Sequence, residues 1–145
     1  MLRIATIDDI DAVLEMALKF AEATPYKDMV SESKIRQTVT TALESPNEET
    51  VVIICEEDNN PIGLIAGAVT NLLLSDAKMA TELMWWVNED KRGTKAGKEL
   101  IEALEFWANK MGCKAIVMVC LDDRVGGFYE KNGYRLYERS YLKEI

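Results

Sequence analysis

The clearest chemical pattern in the sequence lies where an apolar strand pattern passes through a short basic turn into the start of a helix. A helix start leaves several backbone N–H groups without partners and carries the positive end of the helix dipole. Both features suit a pyrophosphate group. The residues of this turn are Arg92, Gly93, Thr94, Lys95, Ala96, Gly97 and Lys98. The alternative is an ordinary helix start with solvated lysines.

Two glycines and three basic residues give this turn its character. Gly93 and Gly97 allow a ligand to approach the backbone closely, and the basic side chains add local positive charge to an acidic chain. Neither a Walker-type Gly-Lys-Ser/Thr sequence nor G-x-G-x-x-G is present. The pattern therefore argues against a nucleotide hydrolase.

The absence of histidine restricts proton chemistry. It excludes a Ser-His-Asp triad, a Cys-His dyad and a His-ligated zinc site, so we expect no metal. Carboxylates, Tyr, Cys, Lys or water must then move protons.

Cys120 follows an apolar run without a basic neighbour, so we expect it to pack in the core as a thiol. The three cysteines form no C-x-x-C pair, which favours a reducing cytosol.

Glu82 is the carboxylate within the third apolar strand pattern, beside Leu83, Met84 and Trp85. Partial desolvation in such surroundings raises a carboxyl pKa toward the range useful for accepting a proton. Glu82 is therefore a candidate general base, acting directly or through water. The alternative is a charge on the solvent-facing side or at an edge.

Length and charge limit the class of protein and its partners. A chain of 145 residues with 48% hydrophobic and 29% charged residues predicts one globular domain over residues 1–145. Its net charge of −8 makes nucleic acid an unfavourable partner and favours cationic or neutral acceptors. Acidic residues interrupt the apolar N-terminal stretch, so we expect no membrane span and a cytoplasmic location.

The hydrophobic pattern predicts a mixed α/β fold, in which a long helix joins two parallel strands. The strand over 115–120 is almost unbroken in apolar residues, as in strands buried on both faces. Helices are predicted over about 7–23, 31–45, 94–111 and 125–131. Strands are predicted over about 2–5, 51–55, 62–70, 80–88, 115–120, 134–138 and 140–143.

Three segments in this order resemble the Gcn5-related N-acetyltransferase (GNAT) family. The segment from Arg92 to Gly97 is similar to the family's Q/R-x-x-G-x-G/A acyl-CoA loop, and 128–134 is similar to its F-Y-x-K-x-G-F/Y segment. The opening Arg3-Ile4-Ala5-Thr6, followed by acids into a helix, also agrees. The resemblance covers nearly the whole chain and implies an acyl-CoA N-acyltransferase fold, with a central sheet that splays open.

The resemblance also implies acetyl-CoA as co-substrate, held in the opening between the strand ending at Val87 and the strand over 115–120. The turn from Arg92 to Lys98 would hold the pyrophosphate. Trp85 and Trp86 would follow the pantetheine arm through backbone contacts, and the backbone N–H near Val87 would polarise the thioester carbonyl. Asp122 stands where many members have an Asn that contacts CoA.

Tyr129 aligns with the Tyr that many members use to protonate the leaving thiolate. A phenol is protonated at pH 7 and can donate, although a packed aromatic that only holds the sulfur in place is the alternative. Glu82 lies one residue closer to the loop than the family's glutamate base. One residue turns a strand side chain to the opposite face unless a bulge intervenes.

Lys95 replaces the first glycine of the loop motif. Either its backbone needs no positive φ or the loop is reshaped.

The resemblance as a whole predicts an N-acetyltransferase that acetylates a primary amine, either a small amine or a protein amino group, by direct attack in a ternary complex. The alternative is a non-catalytic module of the same fold that binds CoA or a protein partner. A homodimer is compatible with both.

Overall fold

A five-stranded mixed sheet with helices on both faces organises the chain. The computed structural model describes all 145 residues. The strands are β1 (Leu2–Ile4), β2 (Thr50–Glu57), β3 (Asn60–Asn71), β4 (Lys78–Val87) and β5 (Ala115–Val117). The helices are α1 (Ile10–Glu22), α2 (Glu32–Glu44), α3 (Ala96–Lys110) and α4 (Asp123–Lys131).

The strands lie in chain order across the sheet, from β1 to β5. All neighbouring pairs are antiparallel except β4 and β5, which are parallel because α3 connects them. That parallel ladder joins only Met79–Thr81 to Ala115–Val117. Beyond Thr81 and Val117 the two strands separate. This confirms the predicted α/β fold with a centrally splayed sheet. We call this opening the strand gap.

Local sequence signals account for the element boundaries. Asp58 and Asn59 both adopt positive φ between β2 and β3, as a two-residue type I′ hairpin turn requires. The side chain of Asp9 accepts from the Thr6 backbone N–H at 2.7 Å in the predicted capping box before α1. Ser31 caps α2 by accepting from the backbone N–H of Lys34.

Alternate strand residues face two different apolar layers. On one face Ile54, Leu64 and Trp86 pack against α1 and α2. On the other, residues such as Ile65 pack against α3 and Tyr129 of α4. Trp85 and Val87 also lie on this second face. Neighbouring residues of β4 therefore serve different layers, so the strand register decides which side chains can enter the strand gap.

Three predictions about the C-terminal part are wrong. The strand predicted over 115–120 ends at Val117, and none of its residues is buried; it lies at the edge of the sheet, with β4 as its single ladder partner. Cys120 is exposed and not packed in the core. Residues 134–145 form no strands, since they have no ladder partner, and Leu136, Tyr137 and Tyr141 are exposed. None of the helices has the length and apolar character needed to cross a membrane.

Candidate active site

A bulge in β4 sets the geometry at the mouth of the strand gap. Ala66 pairs with Met84, but its neighbour Gly67 pairs with Glu82, so Leu83 is an extra residue in β4. An ideal Cβ on Gly67 would lie 2.6 Å from the Cδ1 atom of Leu104 in α3, so this side of the pair faces α3. Directly paired residues share a face, and the bulge therefore turns Glu82 to the side of α3 and α4.

The Glu82 carboxylate is buried and bridges the strand gap. Glu82 is only 3% exposed, so its charge does not face the solvent. Oε2 accepts a 2.9 Å hydrogen bond from the backbone N–H of Val119, two residues beyond the end of β5. Burial raises the pKa of Glu82 to about 7, and the bond from Val119 opposes this shift only in part. A carboxyl with this pKa exchanges protons near neutral pH.

Tyr129 approaches the same peptide segment from α4. Its residue is 5% exposed, and its hydroxyl donates to the backbone carbonyl of Val119 at 3.0 Å. Burial and the nearby Glu82 carboxylate raise the pKa of Tyr129 above its usual value, so the phenol remains protonated. The two candidate proton-transfer residues thus hold the N–H and the C=O of one residue, Val119.

The start of α3 presents a cluster of unpaired backbone donors. Five backbone N–H groups here donate to no protein acceptor, and we call them the amide cluster. They belong to Gly93, Thr94, Lys95, Gly97 and Lys98. Ala96 is the exception, since its N–H donates to the Thr94 hydroxyl at 3.3 Å. Five free donors at the positive end of a 15-residue helix form an arrangement suited to an anion.

The basic side chains near the amide cluster are largely engaged with carboxylates. Lys95 pairs with Glu99 at 2.9 Å and Lys98 with Glu102 at 3.5 Å, while Lys91 pairs with Glu57. Arg92 has no carboxylate partner. Its guanidinium lies 4.6 Å from the Trp86 ring centroid and donates from Nε to the carbonyl of Val87 at 3.0 Å. The amide cluster, the helix dipole and Arg92 are therefore the groups of this turn that no carboxylate already engages.

Lys95 fits the turn without a glycine. Its φ is −71°, in the right-handed region, so the first glycine of the motif is not needed for a positive φ here. The Lys95 side chain is 85% exposed and leaves the amide cluster open. Gly93 does have a positive φ, of 81°, which favours glycine at that position.

Trp85 joins the amide cluster to the aromatic residues of α4. Its ring centroid lies 5.7 Å from the centroids of both Phe128 and Tyr129. At its other side, Cζ2 would be 3.1 Å from a Cβ placed on Gly97. The indole Nε1 is buried and has no hydrogen-bond partner. An unsatisfied buried donor costs about 1 to 3 kcal/mol, which a suitable acceptor would offset.

Trp86 and Asp122, the remaining residues predicted to contact CoA, have side chains that bind other groups of the protein. Trp86 faces the opposite layer, where its Nε1 donates to the Asn88 side chain at 3.2 Å. Asp122 caps α4, since its Oδ1 accepts from the Val125 backbone N–H at 2.9 Å. The Cys120 thiol donates to the Asp122 carbonyl at 3.0 Å. Asp122 thus orders the helix that carries Tyr129.

Two participants were missed by sequence reasoning. Val119 contributes only its backbone groups, for which a side-chain pattern carries no signal. Leu83 forms the bulge, and its only sequence signal is the one-residue offset of Glu82 from the family pattern. Both residues act through backbone geometry that depends on strand pairing.

Comparisons with known proteins agree with this fold. A model described as the acetyltransferase (GNAT) family matches residues 12–134. Ribosomal-protein-alanine N-acetyltransferase from Brucella melitensis biovar Abortus 2308 is 14% identical and has a TM-score of 0.76, over 100% of this chain and 99% of that chain. Glucosamine-6-phosphate N-acetyltransferase from Arabidopsis thaliana is 18% identical, with a TM-score of 0.74 over 99% and 97% of the two chains.

A third similar structure contains a ligand related to CoA. It is AAC(6')-Iy in complex with the bisubstrate analogue CoA-S-monomethyl-acetylneamine, at 13% identity and a TM-score of 0.81. The match covers 100% of this chain and 97% of that chain. At these identities the similarity to solved structures shows a shared fold.

Proposed function

The chain belongs to the GNAT family of acetyltransferases, and from this premise we propose that it transfers an acetyl group from acetyl-CoA to a primary amine by direct attack in a ternary complex. Residues 1–145 would form one acetyltransferase domain. The observation that carries the proposal is the convergence of Glu82 and Tyr129 on Val119, at 2.9 and 3.0 Å, where β4 and β5 part. Such a pair places a proton acceptor and a proton donor at one opening.

The residues around the strand gap fit acetyl-CoA, which supplies the acetyl group as a reactive thioester. The amide cluster offers five backbone donors for the pyrophosphate. From Glu82 onward β4 has no ladder partner on the side of β5, so its backbone from Trp85 to Val87 is free to line the pantetheine arm. The Val87 N–H would polarise the thioester carbonyl.

Glu82 has the properties of the general base. A primary ammonium must lose a proton before its nitrogen can attack, and a carboxylate with a pKa of about 7 can accept that proton at neutral pH. Its burial excludes bulk water from the acceptor oxygen. To reach an amine, directly or through water, the carboxylate needs an oxygen other than the Oε2 atom held by Val119.

Tyr129 would donate a proton to the departing thiolate. Its raised pKa keeps the hydroxyl proton in place across the ordinary pH range. In the structure the Tyr129 hydroxyl donates this proton in a hydrogen bond to the Val119 carbonyl, so it must exchange that acceptor for sulfur during turnover. Asp122 supports the step by capping α4.

The acceptor is proposed to be cationic before it reacts. A net charge of −8 attracts small amines and protein amino groups and repels polyanions.

Isothermal titration calorimetry with acetyl-CoA, followed by thiol release measured across a panel of amines, tests the proposed acetyl transfer. Heat without turnover on any acceptor would support a non-catalytic CoA-binding module instead, and no heat would leave only a module that binds a protein partner.

Gly97→Ala is expected to weaken acetyl-CoA binding by about five- to tenfold. The new Cβ would lie 3.1 Å from Cζ2 of Trp85, so either the indole or the first turn of α3 must shift. Calorimetry measures the change in Kd. Gly127→Ala in α4 is the matched control, because nothing lies within 4 Å of its Cβ position. Equal affinities of the two variants would contradict the placement of the ligand at this turn.

Tyr129→Phe is expected to lower kcat by about 10²-fold, the low end of the range for general acid catalysis. The variant removes the hydroxyl and keeps the ring that packs on Trp85 and Tyr134. Steady-state thiol release gives kcat, and calorimetry shows that acetyl-CoA still binds. Tyr141→Phe is the control at a residue that is 92% exposed. An unchanged kcat would show that Tyr129 only packs.

A further inference from the structure

The indole N–H of Trp85 is the one buried side-chain polar atom that has no hydrogen-bond partner. Comparable groups nearby are all satisfied. Trp86 Nε1 donates to Asn88, the Tyr129 hydroxyl to Val119, and the Tyr134 hydroxyl to Glu105. An indole N–H can only donate, so what it lacks is an acceptor.

The position of the ring narrows the choice of acceptor. Trp85 lies on the face of β4 that packs toward α3 and α4, and β4 has no ladder partner there on the side of β5. Cε2, which is bonded to Nε1, and Cζ2, the next ring atom, would lie 3.9 and 3.1 Å from a Cβ on Gly97. The Nε1 edge of the indole is therefore close to Gly97 of the amide cluster.

The chemistry of the surroundings favours a neutral acceptor. Phe128 and Tyr129 cover the ring at centroid distances of 5.7 Å, so the donor lies in an apolar wall. The charged phosphates of CoA would have the five donors of the amide cluster nearby. An amide carbonyl is neutral and accepts one such bond without bringing charge into the wall.

We propose that the Trp85 indole N–H binds an amide carbonyl of the pantetheine arm, making its side chain a ligand-positioning group between the pyrophosphate site and Tyr129. This inference rests on the proposed use of acetyl-CoA. Because Nε1 is closed to solvent in the structure, the contact requires the rings of α4 to shift as the arm enters. Binding of the arm would thus be coupled to the placement of Tyr129.

The test follows the indole N–H resonances of ¹⁵N-tryptophan-labelled protein during titration with CoA, pantetheine or 3′,5′-ADP. The chain has three tryptophans, and Trp107, near the C-terminal end of α3, provides the internal control. Trp107→Phe and Trp86→Phe assign the spectrum without altering Trp85. The Trp85 resonance is expected to move with CoA and with pantetheine and to stay in place with 3′,5′-ADP.

Affinity gives a second readout. Trp85→Phe keeps an aromatic ring and removes the donor, and it is expected to weaken CoA about five- to tenfold while leaving 3′,5′-ADP unchanged. Trp107→Phe is the matched control for loss of an indole. The resonance measurement on the unaltered protein remains decisive if Trp85→Phe does not fold.

The outcomes separate this inference from the proposed function. Heat from CoA with a stationary Trp85 resonance would overturn the inference and leave the acetyltransferase proposal intact. A resonance that moves with 3′,5′-ADP alone would also overturn it, because the donor would then serve the phosphate end. Absence of CoA binding would instead refute the proposed function.

Discussion

Glu82→Gln is expected to lower kcat for the proposed acetyl transfer by about 10³-fold, within the range that a general base contributes. Gln keeps the shape of the side chain and an oxygen that can accept from the Val119 N–H, but it cannot take a proton from an ammonium. The Kd for acetyl-CoA should therefore stay within about twofold, since the amide cluster is untouched. Thiol-release kinetics and calorimetry measure the two quantities.

The pH profile gives this prediction its sign. A base must be ionised to act, so kcat should rise with pH through about 7, the pKa to which burial raises Glu82. Glu82→Gln should lose this acidic limb. Glu44→Gln, at an exposed position of α2, is the control and should retain both the rate and the limb. An acidic limb that survives in Glu82→Gln would assign the base to another group.

The second large effect concerns stability. Since folding raises the pKa of Glu82 from a usual 4.5 to about 7, the folded state binds the carboxyl proton more tightly than the unfolded chain does. The contribution of Glu82 to stability is therefore fully present below about pH 4.5 and is lost as pH rises to about 7. The shift corresponds to about 3 kcal/mol in the free energy of unfolding.

Comparison with Glu82→Gln isolates this contribution. Between pH 4.5 and pH 8 the free energy of unfolding of the wild type should fall by about 3 kcal/mol relative to that of the variant. Urea denaturation at the two pH values measures both. Glu44→Gln should follow the wild type, because its side chain is exposed. Parallel pH dependence of wild type and Glu82→Gln would show that the Glu82 carboxyl titrates normally.

The two predictions share one physical cause. The ionised carboxylate that accepts the proton is also the form that burial disfavours. The pH range in which the rate rises is therefore the range in which the fold becomes less stable. A site that uses a buried base accepts lower stability in its working state.

Local backbone geometry explains why the amide cluster could be predicted from sequence. A helix start leaves its first N–H groups free whatever its tertiary contacts, so a strand, a Gly-bearing turn and a helical pattern were sufficient. The same holds for the hairpin turn at Asp58 and Asn59, whose positive φ values follow from the residue types. These features depend on residues close together in the chain.

The features that sequence did not predict depend on partners distant in the chain. The face of Glu82 depends on how β4 pairs with β3 opposite Gly67, which no pattern within β4 specifies. Likewise the apolar run after Ala115 satisfies the strand pattern through Cys120, yet its ladder with β4 ends at Val117. An apolar run predicts a strand only where a neighbour is available to bond it.

Because of the bulge at Leu83, the position of the proposed base depends on the number of residues in β4 as well as on their types. A chain that differed from this one only in lacking Leu83 would direct the carboxylate of Glu82 into the opposite layer of the molecule. With the extra residue the carboxylate lies at the strand gap, where the proposed reaction would take place; without it the carboxylate would lie against α1 and α2, away from that opening. Under the proposed function, deletion of this single codon would therefore abolish acetyl transfer while every other residue stayed the same.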